Sequence, residues 1–175
     1  MLTKDNNYAV MRLFFDEPNK KIHIREIARL AGLSAPGVAK IVSKLKKEKL
    51  LQSEKTSLVE NVFASKNEEF LQLKKCYNLL QMHEFGVVKF LQEKYEEPET
   101  IVLFGSYAKG EDNSKSDIDI AIITNIHKEL DLKKFEKNMK HKINLYEINT
   151  KECTKEFLNN LANGVVLSGY LELIK

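Results

Sequence analysis

Two short segments of this sequence carry residue types at a spacing that suits phosphate chemistry. Gly105-Ser106 comes first, ten residues intervene, and Asp117-Ile118-Asp119 follows. In an extended chain side chains alternate, so Asp117, Asp119 and Ala121 share one face and Ile118, Ile120 and Ile122 the other. Both carboxylates then leave the strand on one side, about 7 Å apart at the backbone. Like charges so placed repel unless a cation lies between them. Magnesium is commonly held by one or two carboxylates, with water and substrate phosphates completing its octahedron. At the other end, Gly105 lets a phosphate approach the backbone, Ser106 adds a hydroxyl, Lys109 adds a cation, and the following turn of helix offers free N–H groups. The two ends describe a cradle for a nucleotide triphosphate, with Mg2+ or Mn2+ bridging it to Asp117 and Asp119.

These residues need elements that hold them. Thr100 to Phe104 is apolar and β-branched, follows the break Glu96-Glu97-Pro98-Glu99, and predicts a buried strand ending on Gly105. Asp117 to Ile123 predicts a second strand, and the run Lys142 to Ile148 a third. On that third strand Glu147 shares a face with Ile143 and Leu145, which points it away from the carboxylates unless a bulge intervenes. Leu130, Leu132, Phe135 and Met139 suit a helix between the second and third strands. Phe157, Leu158 and Leu161 suit another, before a final extended segment at Val165 to Leu167. Glu68 to Gln81, with Phe70, Leu73, Tyr77 and Leu80 at helical steps, and a second stretch after Gly86 predict helices that back the sheet.

The Gly-Ser turn, the ten-residue interval and the Asp-x-Asp strand, with Ala108, Lys109 and Gly110 inside the interval, resemble the signature of the DNA polymerase β-like nucleotidyltransferases, in particular their minimal branch. The resemblance spans Ile101 to Ile123. It implies in-line attack of a hydroxyl on the α-phosphorus of a nucleoside triphosphate, release of pyrophosphate and participation of two metals. It further implies a third carboxylate on a later strand, and there this sequence departs: the aligned residue is Asn144. An amide carbonyl can join a metal but brings no charge to hold a second one. Glu111 and Asp112 are the alternative acids on the preceding loop. The resemblance implies transfer of a nucleotidyl group such as AMP to a hydroxyl of a protein, RNA or small molecule. It also implies a partner protein as acceptor, as in toxin-antitoxin pairs. The competing expectation is a DNA-binding regulator whose second domain binds nucleotide or a partner without turnover.

The charge pattern separates the front of the chain. Residues 1–66 hold 13 Lys or Arg against 7 Asp or Glu, a balance of +6, whereas residues 67–175 hold 15 against 18, a balance of −3. Tyr8, Val10, Met11, Leu13, Phe14 and Phe15 predict a first helix closed by Pro18-Asn19. Ile24, Ile27, Ala28 and Ala31 stripe a second, ending at Gly32. Ser34 is placed to N-cap a third that begins at Ala35 with Pro36 in its first turn. Val38, Ile41, Val42 and Leu45 form its inner stripe. Leu50 to Ala64 then reads as a two-stranded wing with a polar tip at Ser53 to Ser57. The arrangement resembles the winged helix-turn-helix of small prokaryotic regulators, which implies double-stranded DNA as a partner. Ser34, Lys40, Ser43, Lys44 and Lys47 on the third helix and Lys55 on the wing are the expected contacts. The small residues Ser34 to Gly37 at the helix start favour phosphate contacts over base reading.

Composition excludes other classes. No apolar run reaches the roughly 20 residues of a membrane-spanning helix, and Lys4, Asp5, Asn6 and Asn7 interrupt what a signal peptide needs. A cytoplasmic protein is expected. Cys76 and Cys153 have no ligand or disulfide spacing and read as small apolar fillers, and the four histidines are scattered. The expected fold is α+β: a winged helix-turn-helix at residues 1–66, a helical connector at 67–96, and a small mixed-sheet nucleotidyltransferase domain flanked by helices at 97–175. A homodimer is the expected oligomer.

Overall fold

The computed structural model describes residues 5–55 and 59–173. The chain divides into two units, residues 1–74 and 75–175, and the division falls inside a helix.

In the first unit, α1 (Asn6–Asp16) opens under Asp5, whose carboxylate accepts the Asn7 N–H at 2.8 Å. Val10, Met11, Phe14 and Phe15 on its inner face are buried. Next, α2 (Ile24–Ala31) stops at Gly32, which takes φ +67°, a left-handed conformation that favours glycine. The turn leads to Ser34, whose Oγ accepts the Gly37 N–H at 3.2 Å and caps α3 (Ala35–Lys47). Val38, Val42 and Leu45 bury the inner stripe of α3. Ile41 is only half-buried. The wing is real: β2 (Leu51–Lys55) and β3 (Glu60–Ala64) pair antiparallel. The part of its polar tip at Thr56 to Leu58 lies outside the described residues. A strand the sequence did not signal, β1 (Ile22–His23), adds to β3 and gives the sheet order β1-β3-β2. Two residues are too few for a period to register; Ile22, almost wholly buried, is the anchor.

The connecting helix α4 (Glu68–Glu84) starts where the Asn67 side chain accepts the Phe70 N–H at 2.9 Å. Its buried side carries Phe70, Lys74, Tyr77, Asn78, Gln81 and Met82. Leu73, expected on that stripe, is 42% exposed, because a face that buries Asn78 and Gln81 is rotated away from the one hydropathy alone selects. Cys76 is also exposed, which corrects its reading as an apolar filler. Cys153 is half-buried, and its thiol donates to the Asn149 carbonyl.

In the second unit, α5 (Val87–Lys94), β4 (Thr100–Phe104), α6 (Gly105–Lys109), β5 (Ile118–Ile123), α7 (Lys133–Met139), β6 (Ile143–Ile148), α8 (Lys155–Ala162) and β7 (Val165–Gly169) follow in order. The sheet runs β6-β5-β4-β7, with β5 and β6 parallel and the other neighbours antiparallel, a mixed α+β arrangement. Its two faces are distinct. Ile101, Leu103, Ile118, Ile120, Ile122 and Ile143 face a core completed by α5 and α7. Val102, Phe104 and Ala121 face α8 through Leu161 and Phe157. Alternation along β5 therefore turns Asp119 to the α8 side.

Candidate nucleotide site

The two ends of the motif meet because β4 and β5 are antiparallel neighbours. Phe104 is the register partner of Asp119, so Gly105 follows directly against the Asp119 carboxylate. Gly105 takes φ +74°, and a Cβ added there would stand 2.7 Å from Asp119 Oδ2. Glycine is thus required twice, by backbone conformation and by the space the carboxylate fills. Gly105→Ala is expected to cost about 1–2 kcal/mol from the backbone alone and to displace Asp119 as well; urea unfolding checks the first and divalent-ion affinity the second.

Strand β6 supplies the third side. Asp119 and Asn144 are register partners across the parallel pair. The Asn144 amide donates to Asp119 Oδ1 at 3.1 Å and to Asp117 Oδ2 at 3.2 Å. Its NH2 faces both acids because the carbonyl there would face like charge. Asp117, which the sequence places as the first residue of this strand, instead stands exposed one residue ahead of β5, yet the amide gathers both carboxylates. Ser106 is half-buried and Lys109 exposed on α6.

Tyr146 is the site residue sequence reasoning missed. Its hydroxyl donates to Asp119 Oδ1 at 3.3 Å, and its ring packs on Phe104 and Phe157 with centroids 5.4 and 5.9 Å away. Burial, then the Asp119 charge and hydrogen bond, and then Asp117 push its phenol above the ordinary tyrosine range. The signal was present: Tyr146 lies two residues after Asn144, hence on the same strand face.

Glu147 does point away from the acids, as alternation predicts. On the opposite face it receives the Tyr95 hydroxyl, the Lys128 N–H at 2.7 Å and His127 Nδ1 at 2.9 Å. Burial would raise its carboxyl, but these hydrogen bonds outweigh burial and hold it below the usual glutamate range. A carboxyl depressed in the folded state stabilises above its unfolded pKa and loses that contribution as pH falls through the folded value. Stability is therefore expected to drop on acidification below about pH 4.3, and Glu147→Gln to remove that share of the slope; urea midpoints across pH check it. Asp112, weighed as a substitute acid, is buried and accepts from Asn78 Nδ2 at 2.7 Å. Glu111 is exposed.

Two converging carboxylates on an exposed rim form an all-oxygen donor set that fits one hard cation. Among the described residues no group of three or more His, Cys, Asp or Glu side chains comes together as a metal-binding cluster, so the carboxylates number two. The third position is the amide of Asn144.

In the first unit, Lys40, Ser43, Lys44 and Lys47 are exposed and, with Ala39, line a shallow depression on one face of α3. Lys44 pairs with Glu48 at 3.8 Å. Lys46 instead turns to the wing, where it meets Ser53 and Glu60, and Lys55 is exposed at the end of β2. Ser34 uses its Oγ as the helix cap.

The mixed sheet flanked by helices is consistent with a nucleotidyltransferase domain. Residues 86–167 match the family model described as a nucleotidyltransferase domain. Among solved structures, a point mutant of Lactococcus lactis ZitR is similar at 16% identity and a TM-score of 0.39, with 50% of this chain and 60% of that chain covered. No curated protein matches the chain. Among the described residues no helix is long and apolar enough to cross a membrane.

Proposed function

We propose that the second unit transfers a nucleoside monophosphate from a nucleoside triphosphate to a hydroxyl acceptor, and that the first unit binds double-stranded DNA. The observation that carries the first half is the Gly105 backbone lying against the Asp119 carboxylate while Asn144 gathers Asp117 and Asp119 beside it. Asp117 and Asp119 would hold one Mg2+ or Mn2+, which when bound neutralises phosphate charge during in-line displacement. The chain's own residues do the rest. Gly105 leaves room at the turn, while Ser106 and Lys109 offer a hydroxyl and a cation to the phosphates. Phe104, Tyr146 and Phe157 form an aromatic cluster that packs Tyr146 beside Asp119. Asn144 holds both acids in place but supplies no third charge. α-Labelled nucleoside triphosphates incubated with the protein, Mg2+ or Mn2+ and cell extract test the reading. Label reaching an acceptor supports it. Nucleotide binding without any transfer would leave the second reading, a regulator that uses nucleotide or a partner protein only as a ligand; the charge missing at Asn144 is what favours that reading.

For the first unit, the support is the stripe Lys40, Ser43, Lys44 and Lys47, spaced at one helical face, with Lys55 on the wing and Ser34 at the helix start. With no large polar side chain among residues 34–37, contact with phosphate outweighs base reading. Lys44→Ala and Lys47→Ala are each expected to weaken duplex binding and to lower the slope of log K against log salt by about 0.9. Fluorescence anisotropy over a salt series measures this; unchanged slopes in both variants would overturn it. Assignment to the cytoplasm, a homodimer and a co-acting partner protein, as in toxin-antitoxin pairs, belong to the same proposal. Sedimentation measures the oligomer.

A further inference from the structure

We propose that the phenol of Tyr146 is itself a nucleotidyl acceptor, so that the chain modifies its own β6 strand. The inference rests on the nucleotidyl-transfer reading and goes beyond it by naming an acceptor. A hydroxyl that attacks an α-phosphorus at this site must stand beside the Asp119 carboxylate. Tyr146 already places one there, with its oxygen 3.3 Å from Asp119 Oδ1. The position follows from the register: Asn144 pairs with Asp119 and Tyr146 with Ala121, so both side chains leave β6 on the face that carries the acids. Phe104 and Phe157 hold the ring, while 37% exposure leaves it open to an incoming nucleotide.

The other tyrosines of this unit are placed otherwise. Tyr77, Tyr95 and Tyr107 are buried, and the Tyr95 hydroxyl bonds Glu147 on the opposite face. Tyr170 is 68% exposed beyond the end of β7. In the reaction the phenolic oxygen forms a bond to the α-phosphorus of a nucleoside triphosphate. The bond from that phosphorus to the bridging oxygen breaks, and pyrophosphate leaves with the electron pair. The phenolic proton passes along its hydrogen bond to Asp119 Oδ1 and on to water. No oxidation or reduction occurs. The product is an aryl phosphodiester whose nucleotide sits over the acids that bound it, which limits the reaction to a single turnover per chain.

The test uses the full chain alone with each α-labelled nucleoside triphosphate and Mg2+ or Mn2+, followed by tryptic mapping. The expected result is one nucleoside monophosphate on peptide 143–151, with fragment ions placing it on Tyr146 rather than Thr150. Tyr146→Phe, which keeps the ring contacts and is checked by thermal melting, should carry no adduct on that peptide. Independently, Mg2+ added without nucleotide should perturb the near-ultraviolet band that Tyr146→Phe loses. Transfer to extract acceptors with no adduct on this chain overturns the inference and leaves the proposed function standing. An adduct on another residue, or a phenol band indifferent to Mg2+, also overturns it. Absence of label on every acceptor removes both.

Discussion

Asp119→Asn is expected to lower nucleotidyl transfer by about three orders of magnitude while leaving the fold intact. The substitution keeps the shape of the side chain and removes only its charge. Charge neutralisation around the transferring phosphate is commonly worth several kcal/mol, and about 1.4 kcal/mol corresponds to a factor of ten in rate. Asp119 carries the largest share because it is half-buried, lies against the Gly105 turn and receives both Asn144 and Tyr146. Asp117 is exposed and touched by Asn144, so Asp117→Asn should cost less. Stability should not fall in Asp119→Asn, since one of two adjacent like charges is removed. Label transfer and urea unfolding measured side by side separate the two effects. Transfer at the wild-type rate in a folded Asp119→Asn protein would dismiss the proposed chemistry.

Asn144→Asp should do the opposite to stability and reveal the cation directly. It replaces an amide that donates to both acids with a third carboxylate facing them. Two hydrogen bonds to charged acceptors are lost and replaced by repulsion; with Asp117 exposed and screened, a net cost of about 2 kcal/mol is expected in the presence of a chelator. Because a divalent ion would bind the folded site and not the unfolded chain, millimolar Mg2+ should restore that loss. The same addition should stabilise wild type less, two carboxylates being a weaker attractor than three. Urea midpoints with and without Mg2+ measure both arms. An Asn144→Asp protein as stable as wild type in chelator would show that the amide does not hold the acids together.

Much of this was legible from residue types and their spacing. The period of two in β5 fixes which side both aspartates leave, and the isoleucines between them fix which side is buried. The stop at Gly32, the Ser34 cap and the lysine stripe of α3 are local features, set by backbone conformation and by one turn of helix. These readings need only neighbours a few residues apart. β1 and the rotation of α4 were not legible, because a two-residue strand has no period and a face that buries Lys74, Asn78 and Gln81 contradicts hydropathy.

The sequence by itself therefore determined that a Gly-Ser turn and an Asp-x-Asp strand stand ten residues apart, and that position 144 brings an amide where the resemblance leads one to expect a charge. Only the tertiary structure decided what those residues face. Antiparallel pairing of β4 with β5 brings Gly105 against Asp119, and parallel pairing of β5 with β6 aligns Asn144 with Asp119. The alternating pattern of each strand restricts its register to shifts that keep the same face buried. Which residues stand opposite one another is decided only when the strands pair and both faces of the sheet pack. That register also carries Tyr146 to the acids and turns Glu147 to Tyr95 and His127 on the far side.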